Sequence, residues 1–224
     1  MRRLLPFVLL LGICRPLSAE GEKFSLRTLA LTPGEFPQVW TMDSSKPVLL
    51  EFSSSQPSEP LRLGRTNPFP IYLSEPGDKG QSADKSPAML KLPEGPGILL
   101  LGLMDQEKPR FLPIADTAFA GKFNDWFVIN VSAKQVAIQV GTAVAPVVIE
   151  PGARMPLKIN QPSGEGAPVT MASKEEKEWR KFFSTYWPVH ADKRCLVVIV
   201  PNGERIEARL IFEELERAVP KDDG

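Results

Sequence analysis

Short runs of Val, Ile, Leu and Phe alternate with polar residues along nearly the whole chain, and Pro-Gly or Gly-Pro steps punctuate them at Pro33-Gly34, Pro76-Gly77, Gly95-Pro96-Gly97 and Pro151-Gly152. A period of two between turn signals is the pattern of half-buried strands. It predicts an all-β protein with strands at 24–31, 37–42, 47–53, 60–64, 69–73, 88–92, 97–104, 109–115, 125–132, 135–141, 145–149, 154–159, 168–173, 179–187, 194–200 and 205–213. The polar loop from Gly77 to Ser86 holds no apolar side chain larger than Ala and is expected to be mobile. No repeat with a regular period is visible. The break Leu92-Pro93-Glu94-Gly95-Pro96-Gly97 leaves two readings open, one β-sandwich region over 20–215 or sub-lobes over 20–95 and 96–215. The tail 216–224 is expected to be disordered.

Three turns suggest a register. Asn202-Gly203 has the composition of a type I′ hairpin turn, which needs positive φ at both central residues. That turn opposes Ile199 to Ile206, Val197 to Ala208 and Cys195 to Leu210 on a core face, with Arg205, Glu207 and Arg209 on a surface face. A turn at Ala133-Lys134 similarly opposes Val131 to Val136, Ile129 to Ile138 and Phe127 to Val140. Glu150-Pro151-Gly152-Ala153 suits a type II turn between two further strands, with Pro second and Gly third.

The first nineteen residues break the β pattern. Arg2 and Arg3 precede an apolar run from Leu4 to Ile13 and a small-residue exit at Leu17-Ser18-Ala19, the layout of a secretory signal peptide over 1–19. The run is too short for a membrane-spanning helix, which needs about 20 apolar residues. No later stretch qualifies, so the mature chain is expected to carry no transmembrane segment. Ile13 before Cys14 and Arg15-Pro16 after it do not suit a lipid-modified cysteine. Cleavage after Ala19 removes three arginines and no acid from 27 basic and 27 acidic residues, leaving a formal charge of −3. That balance argues against a nucleic-acid partner. Cys195 is then the one remaining cysteine, so packing rather than a disulfide must hold about 205 residues, a feasible size for a core.

Candidate chemistry is sparse. The single histidine, His190, has only Ser184 and Asp192 near it in sequence, and no Gly-x-Ser-x-Gly elbow occurs, so it reads as a loop residue rather than a catalytic base. One His and one Cys cannot assemble the usual zinc or copper sites, and the run Lys174-Glu175-Glu176-Lys177-Glu178 reads as a solvated turn. No cofactor is expected. Ser82-Ala83-Asp84-Lys85 matches the Ser-x-x-Lys pattern of penicillin-interacting enzymes without its companion motifs. Asn130-Val131-Ser132 is an N-glycosylation pattern that a hairpin end would leave accessible, and Cys195 is expected in the core as an inert thiol. The aromatic stretch from Trp179 to Trp187 reads as a strand rather than a helix, with Trp179, Phe183 and Trp187 on one face as the possible ligand-facing aromatics and Phe182 and Tyr186 on the other. Such rings stack on sugars when exposed and fill a core when not.

Phe119-Ala120-Gly121, the strand from Trp126 to Ser132, the strand from Val136 to Gly141, the turn Ile149-Glu150-Pro151-Gly152, and the ending Ser184 to Pro188 with Arg194 to Val200 together resemble a pattern in uncharacterised bacterial exported β-sandwich proteins. The resemblance covers about residues 97–213 and its motifs are structural. It implies an immunoglobulin-like antiparallel β-sandwich in the periplasm or outside the cell, and no reaction. The expected role is non-enzymatic binding of a protein or polysaccharide of the cell envelope. The rivals are a structural subunit of a surface assembly, marked by self-association, and a hydrolase or transferase using an acid pair that has no motif behind it.

Overall fold

The structure, a computed structural model, describes residues 22–32, 34–77, 86–105, 107–116, 125–160, 162, 164–190 and 193–214. The expected signal peptide 1–19 with Cys14, Pro33, the Ser82–Lys85 pattern, Asp192 and the tail 216–224 lie outside these residues. The described chain is all-β. Its sixteen strands are β1 Lys23–Ala30, β2 Val39–Asp43, β3 Lys46–Leu50, β4 Leu61–Gly64, β5 Phe69–Ile71, β6 Ala88–Leu90, β7 Gly97–Asp105, β8 Lys108–Ala115, β9 Asp125–Asn130, β10 Val136–Val140, β11 Val147–Ile149, β12 Arg154–Lys158, β13 Gly166–Glu175, β14 Glu178–Pro188, β15 Lys193–Asn202 and β16 Arg205–Glu214. Each falls on a stretch that the alternation predicts.

The strands form sheets in the orders β4-β1-β7-β8, β12-β9-β15-β16 and β11-β10-β13-β14, with two hairpins, β2-β3 and β5-β6. Reciprocal backbone bonds of 2.8 Å between Trp40 and Tyr72 tie the hairpins together, giving the order β3-β2-β5-β6. Strands β1–β8 and β9–β16 therefore repeat one topology. In each half the first strand runs parallel to the seventh, Leu26 beside Ile98 in one and Trp126 beside Cys195 in the other. All other ladders are antiparallel. The seventh and eighth strands close alike, Asp105 pairing with Lys108 and Asn202 with Arg205. The proline-glycine break at 93–97 leads into β7, the strand that pairs with β1.

Three hydrophobic clusters lie between four sheet layers. One joins β1 and β7 to the two hairpins through Phe24, Leu26, Phe69, Ile71, Ile98 and Leu100. Another joins β9 and β15 to the β10-β13 sheet through Trp126, Val128, Ile138, Met171, Val197 and Ile199. Between them, the β1-β7-β8 and β9-β15-β16 faces pack on each other, and topologically corresponding residues meet there: Leu29 and Ile129, Leu99 and Leu196, Leu101 and Val198, Leu103 and Val200, Ile114 and Ile211. This explains the unbroken apolar runs in β7 and β15. Side chains alternate across a strand, so a strand buried on both faces must be apolar throughout. Each Leu, Ile or Val so buried contributes about 1.5–3 kcal/mol. Gly102 interrupts β7 because a Cβ there would stand 2.6 Å from the Phe36 ring, which stacks with Phe52 at 4.7 Å.

The expected turns need three corrections. In β15–β16, Ile199 pairs with Ala208, Val197 with Leu210 and Cys195 with Phe212. The turn is centred on Gly203-Glu204, with Gly203 at φ 58° and no positive φ at Glu204, as a type II′ turn requires. A slip of two residues exchanges partners and leaves each face intact, so Cys195 stays in the core. Strands β9 and β10 do not pair: both present apolar residues to the same core, Trp126 and Val128 from one layer and Val136 and Ile138 from the facing one. Phe127 and Ile129 point the other way, into the seam between the halves. The Pro151-Gly152 turn exists, with Gly152 at φ 73° and Ala153 N–H donating to Glu150 C=O at 3.0 Å, but it carries the chain from β11 in one layer to β12 in the other.

Candidate functional site

Every sheet edge is a row of unpaired backbone donors and acceptors, and proteins block such edges with short strands or proline. Six of the edges among the described strands are treated that way. β4 has four residues, β6 and β11 three each, β8 contains Pro109 and Pro113, and β12 contains Pro156. Pro47 does the same in β3. Two edges are long and free of internal proline, β14 with eleven residues and β16 with ten. They belong to facing layers and flank a single groove of about 430 Å³.

A bulge gives this groove its chemistry. Met171 pairs with Phe183 but Ala172 with Lys181, so Phe182 is an extra residue in β14. Cross-strand partners share a face, and Trp187 and Phe183 lie opposite the core residues Ala167 and Met171. Beyond the bulge the residue opposite buried Ser173 is Arg180, where unbroken alternation would have put Lys181. The aromatic triad read from the sequence is thereby divided. Trp187 is 8% exposed and packs on Trp126 at 5.4 Å, Phe183 is half-buried against Trp187 at 5.2 Å, and Trp179 stands outside at 45% exposure. Tyr186 is the most exposed of the described rings, at 65%, lying over Gly166, where an added Cβ would be 2.2 Å from it.

The groove is lined by Lys134, Ser173, Glu175, Arg180, Lys181, Phe182, Glu204, Arg205 and Ile206. Lys134 Nζ donates to Glu175 Oε1 at 2.7 Å, and Ser173 Oγ to the same oxygen at 3.1 Å. The Lys134 hydrogen bond first, and then that of Ser173, hold the Glu175 carboxyl below its ordinary pKa. Arg180, Lys181 and Arg205 make no ion pair among the described residues. The groove thus has more cationic than anionic lining, with its one ion-paired carboxylate neutralised by Lys134.

The other candidates resolve into structure. His190 sets its ring edgewise on Phe212, centroids 5.0 Å apart, while Ser184 is exposed on β14. Among the described residues no three His, Cys, Asp or Glu side chains cluster as a metal site would require. Cys195 is 3% exposed, and desolvation pushes its thiol far up, away from the reactive thiolate. The run from Lys174 to Glu178 is the β13–β14 turn, with Glu176 at φ 50°. Asn130, expected at an accessible hairpin end, is fully buried. Its amide donates to the Lys134, Ile149 and Glu150 carbonyls at 2.8, 3.1 and 3.2 Å, and its oxygen accepts from Ser132 N–H and Oγ at 3.1 and 2.7 Å. A side chain with its hydrogen-bonding capacity spent inside the fold is not a glycan acceptor on the folded protein.

At the seam, Arg27 donates to both Asp116 oxygens at 3.0 and 2.8 Å and pairs with Glu213, which also receives Arg194 at 2.5 Å. These four groups satisfy one another across the two halves. They are a clasp rather than a site. The basic groove residues were in view as Arg180-Lys181 within the aromatic strand, but Lys134 and Arg205 join them only through the fold. No protein-family model matches the chain, and no curated protein matches it.

Proposed function

We propose that the chain is an exported protein of the bacterial cell envelope, built of immunoglobulin-like β-sandwiches, which acts without catalysis by pairing an edge strand with an extended segment of a protein partner. The export reading rests on the signal-like residues 1–19 and the family reading on the motifs over 97–213. The β-sandwich reading is supported by the two four-stranded layers that enclose a core in each half. A periplasmic or secreted location follows from export, and no cofactor enters this reading. The observation that carries it is the convergence of the two long edges without internal proline, β14 and β16, on one open groove, while the other described edges are short or hold proline. Strand addition uses such an edge for affinity and neighbouring pockets for selectivity.

Proline at consecutive positions of β14 tests it. Backbone N–H groups alternate between the ladder and the free edge, so of Ser184→Pro and Thr185→Pro one removes a ladder bond and the other only an edge donor. The variant that keeps wild-type stability is expected to lose at least about tenfold in affinity, or 1.4 kcal/mol, for the protein partner captured from envelope extract. Unchanged affinity in that variant, or capture of only a glycan or of further copies of the same chain, would overturn the reading.

A further inference from the structure

We propose that the β14–β16 groove selects an acidic extended peptide, one that sets Asp or Glu side chains against Arg180, Lys181 and Arg205. The inference rests on the strand-addition reading and adds the chemistry of the partner. Arg180 and Lys181 are adjacent on β14, so they flank the free edge on its two faces, while Arg205 enters from the start of the facing edge strand β16. Side chains of an added strand alternate between its two faces, so acids on one face meet Arg180 and an acid on the other meets Lys181.

Lys134 is already occupied by Glu175 at 2.7 Å, so the three unpaired cations are those available to a ligand. Guanidinium groups suit carboxylates in particular, because the planar fork of donors accepts a bidentate partner. A cationic groove also raises the encounter rate with an acidic chain in a salt-dependent way. The bulge at Phe182 sets Arg180 opposite Ser173 on the inner face, a guanidinium where plain alternation would have set the ammonium of Lys181. Phe182 and Ile206 line the same groove and offer the apolar contact that small side chains between the acids would need.

The test uses the full-length protein and two acetylated nonapeptides, one alternating Val with Glu and the other Val with Lys, titrated by calorimetry at low and high salt. Binding of the Glu peptide at least tenfold tighter at low salt, converging with the Lys peptide at high salt, is the expected result. The double variant Arg180→Glu, Lys181→Glu should reverse that preference, and Arg205→Glu alone should weaken it, which keeps the test alive if the double variant folds poorly. Equal affinity for the two peptides, with both lost in the edge-donor proline variant, would overturn the acidic preference and leave strand addition standing. Failure of both peptides to bind would remove the strand-addition reading along with it, and binding of polygalacturonate in their place would assign the groove to an acidic glycan.

Discussion

Asn130 shows how one side chain decides between two readings of the same residues. As a tripeptide, Asn130-Val131-Ser132 is a sugar acceptor, and nothing local argues otherwise. In the fold its five hydrogen bonds tie the end of β9 to the Lys134 corner and to the β11–β12 turn, whose Gly152 N–H also donates to the Asn130 carbonyl at 2.8 Å. Removing it leaves the buried Ile149 carbonyl without this donor and the buried Ser132 N–H without its acceptor, each costing about 1–3 kcal/mol when unsatisfied. Asn130→Ala is therefore expected to destabilise by about 2–4 kcal/mol, read from urea midpoints, and a loss under about 0.5 kcal/mol would show that the network is dispensable. Arg209 carries the same lesson. Assigned by register to a surface face, it instead donates to the Leu31 carbonyl and, at 2.6 Å, to that of Ser54, both in the other half of the chain. Its face was legible, but the second sheet covering that face was not. Cys195 was legible in full, because a register slip of two residues cannot move it from the core.

At the scale of elements, all sixteen strands were written in the alternation and turn residues, while their partners were not. Hairpin logic pairs neighbours in sequence, and it succeeds for β15–β16, shifted by two residues, where a tight turn joins the strands. It fails for β9–β10 and β11–β12, where the chain crosses between layers to bring two apolar faces together over one core. Nor could the faces of β14 be derived, because a bulge shows only in the pairing, and it sets Arg180 in place of Lys181 opposite Ser173 and Glu178 in place of Trp179 opposite Glu175. The groove that results has a measurable signature in pH. The Glu175 carboxyl is held below its ordinary value by the Lys134 hydrogen bond and then by Ser173. A depressed folded-state carboxylate adds stability above its unfolded pKa, and that contribution is lost as pH falls through the folded value. Lys134→Met should therefore lower stability at neutral pH and converge with the native protein in acid, as followed by denaturant midpoints across the acid range. A difference that persists unchanged to the lowest pH would show that Lys134 acts by packing rather than through the carboxylate.

For the whole molecule the question is whether the two halves are separable. Each has a core of its own, yet the inner sheets also bury their second faces on each other, through corresponding residues such as Leu101 and Val198. A separated half would expose the leucines of β1 and β7, or the Val and Ile of β9 and β15, as one continuous apolar face. An apolar patch of that kind is rare on a free monomer. The Arg27–Asp116–Glu213–Arg194 clasp and the reach of Arg209 to residues 31 and 54 cross the same boundary, and breaking one member strands its partner at a largely buried position. The halves should consequently unfold as one unit although their topologies are independent. Leu101→Ala, a large-to-small change at the seam, is expected to cost about 2–5 kcal/mol and to raise hydrogen exchange together in β2–β3 of the first half and β10–β13 of the second, both remote from the substitution. If instead protection falls only in β1–β8 while β9–β16 keeps its native exchange and melts in a separate transition, the seam is a docking surface between two self-sufficient domains and the coupling argument fails.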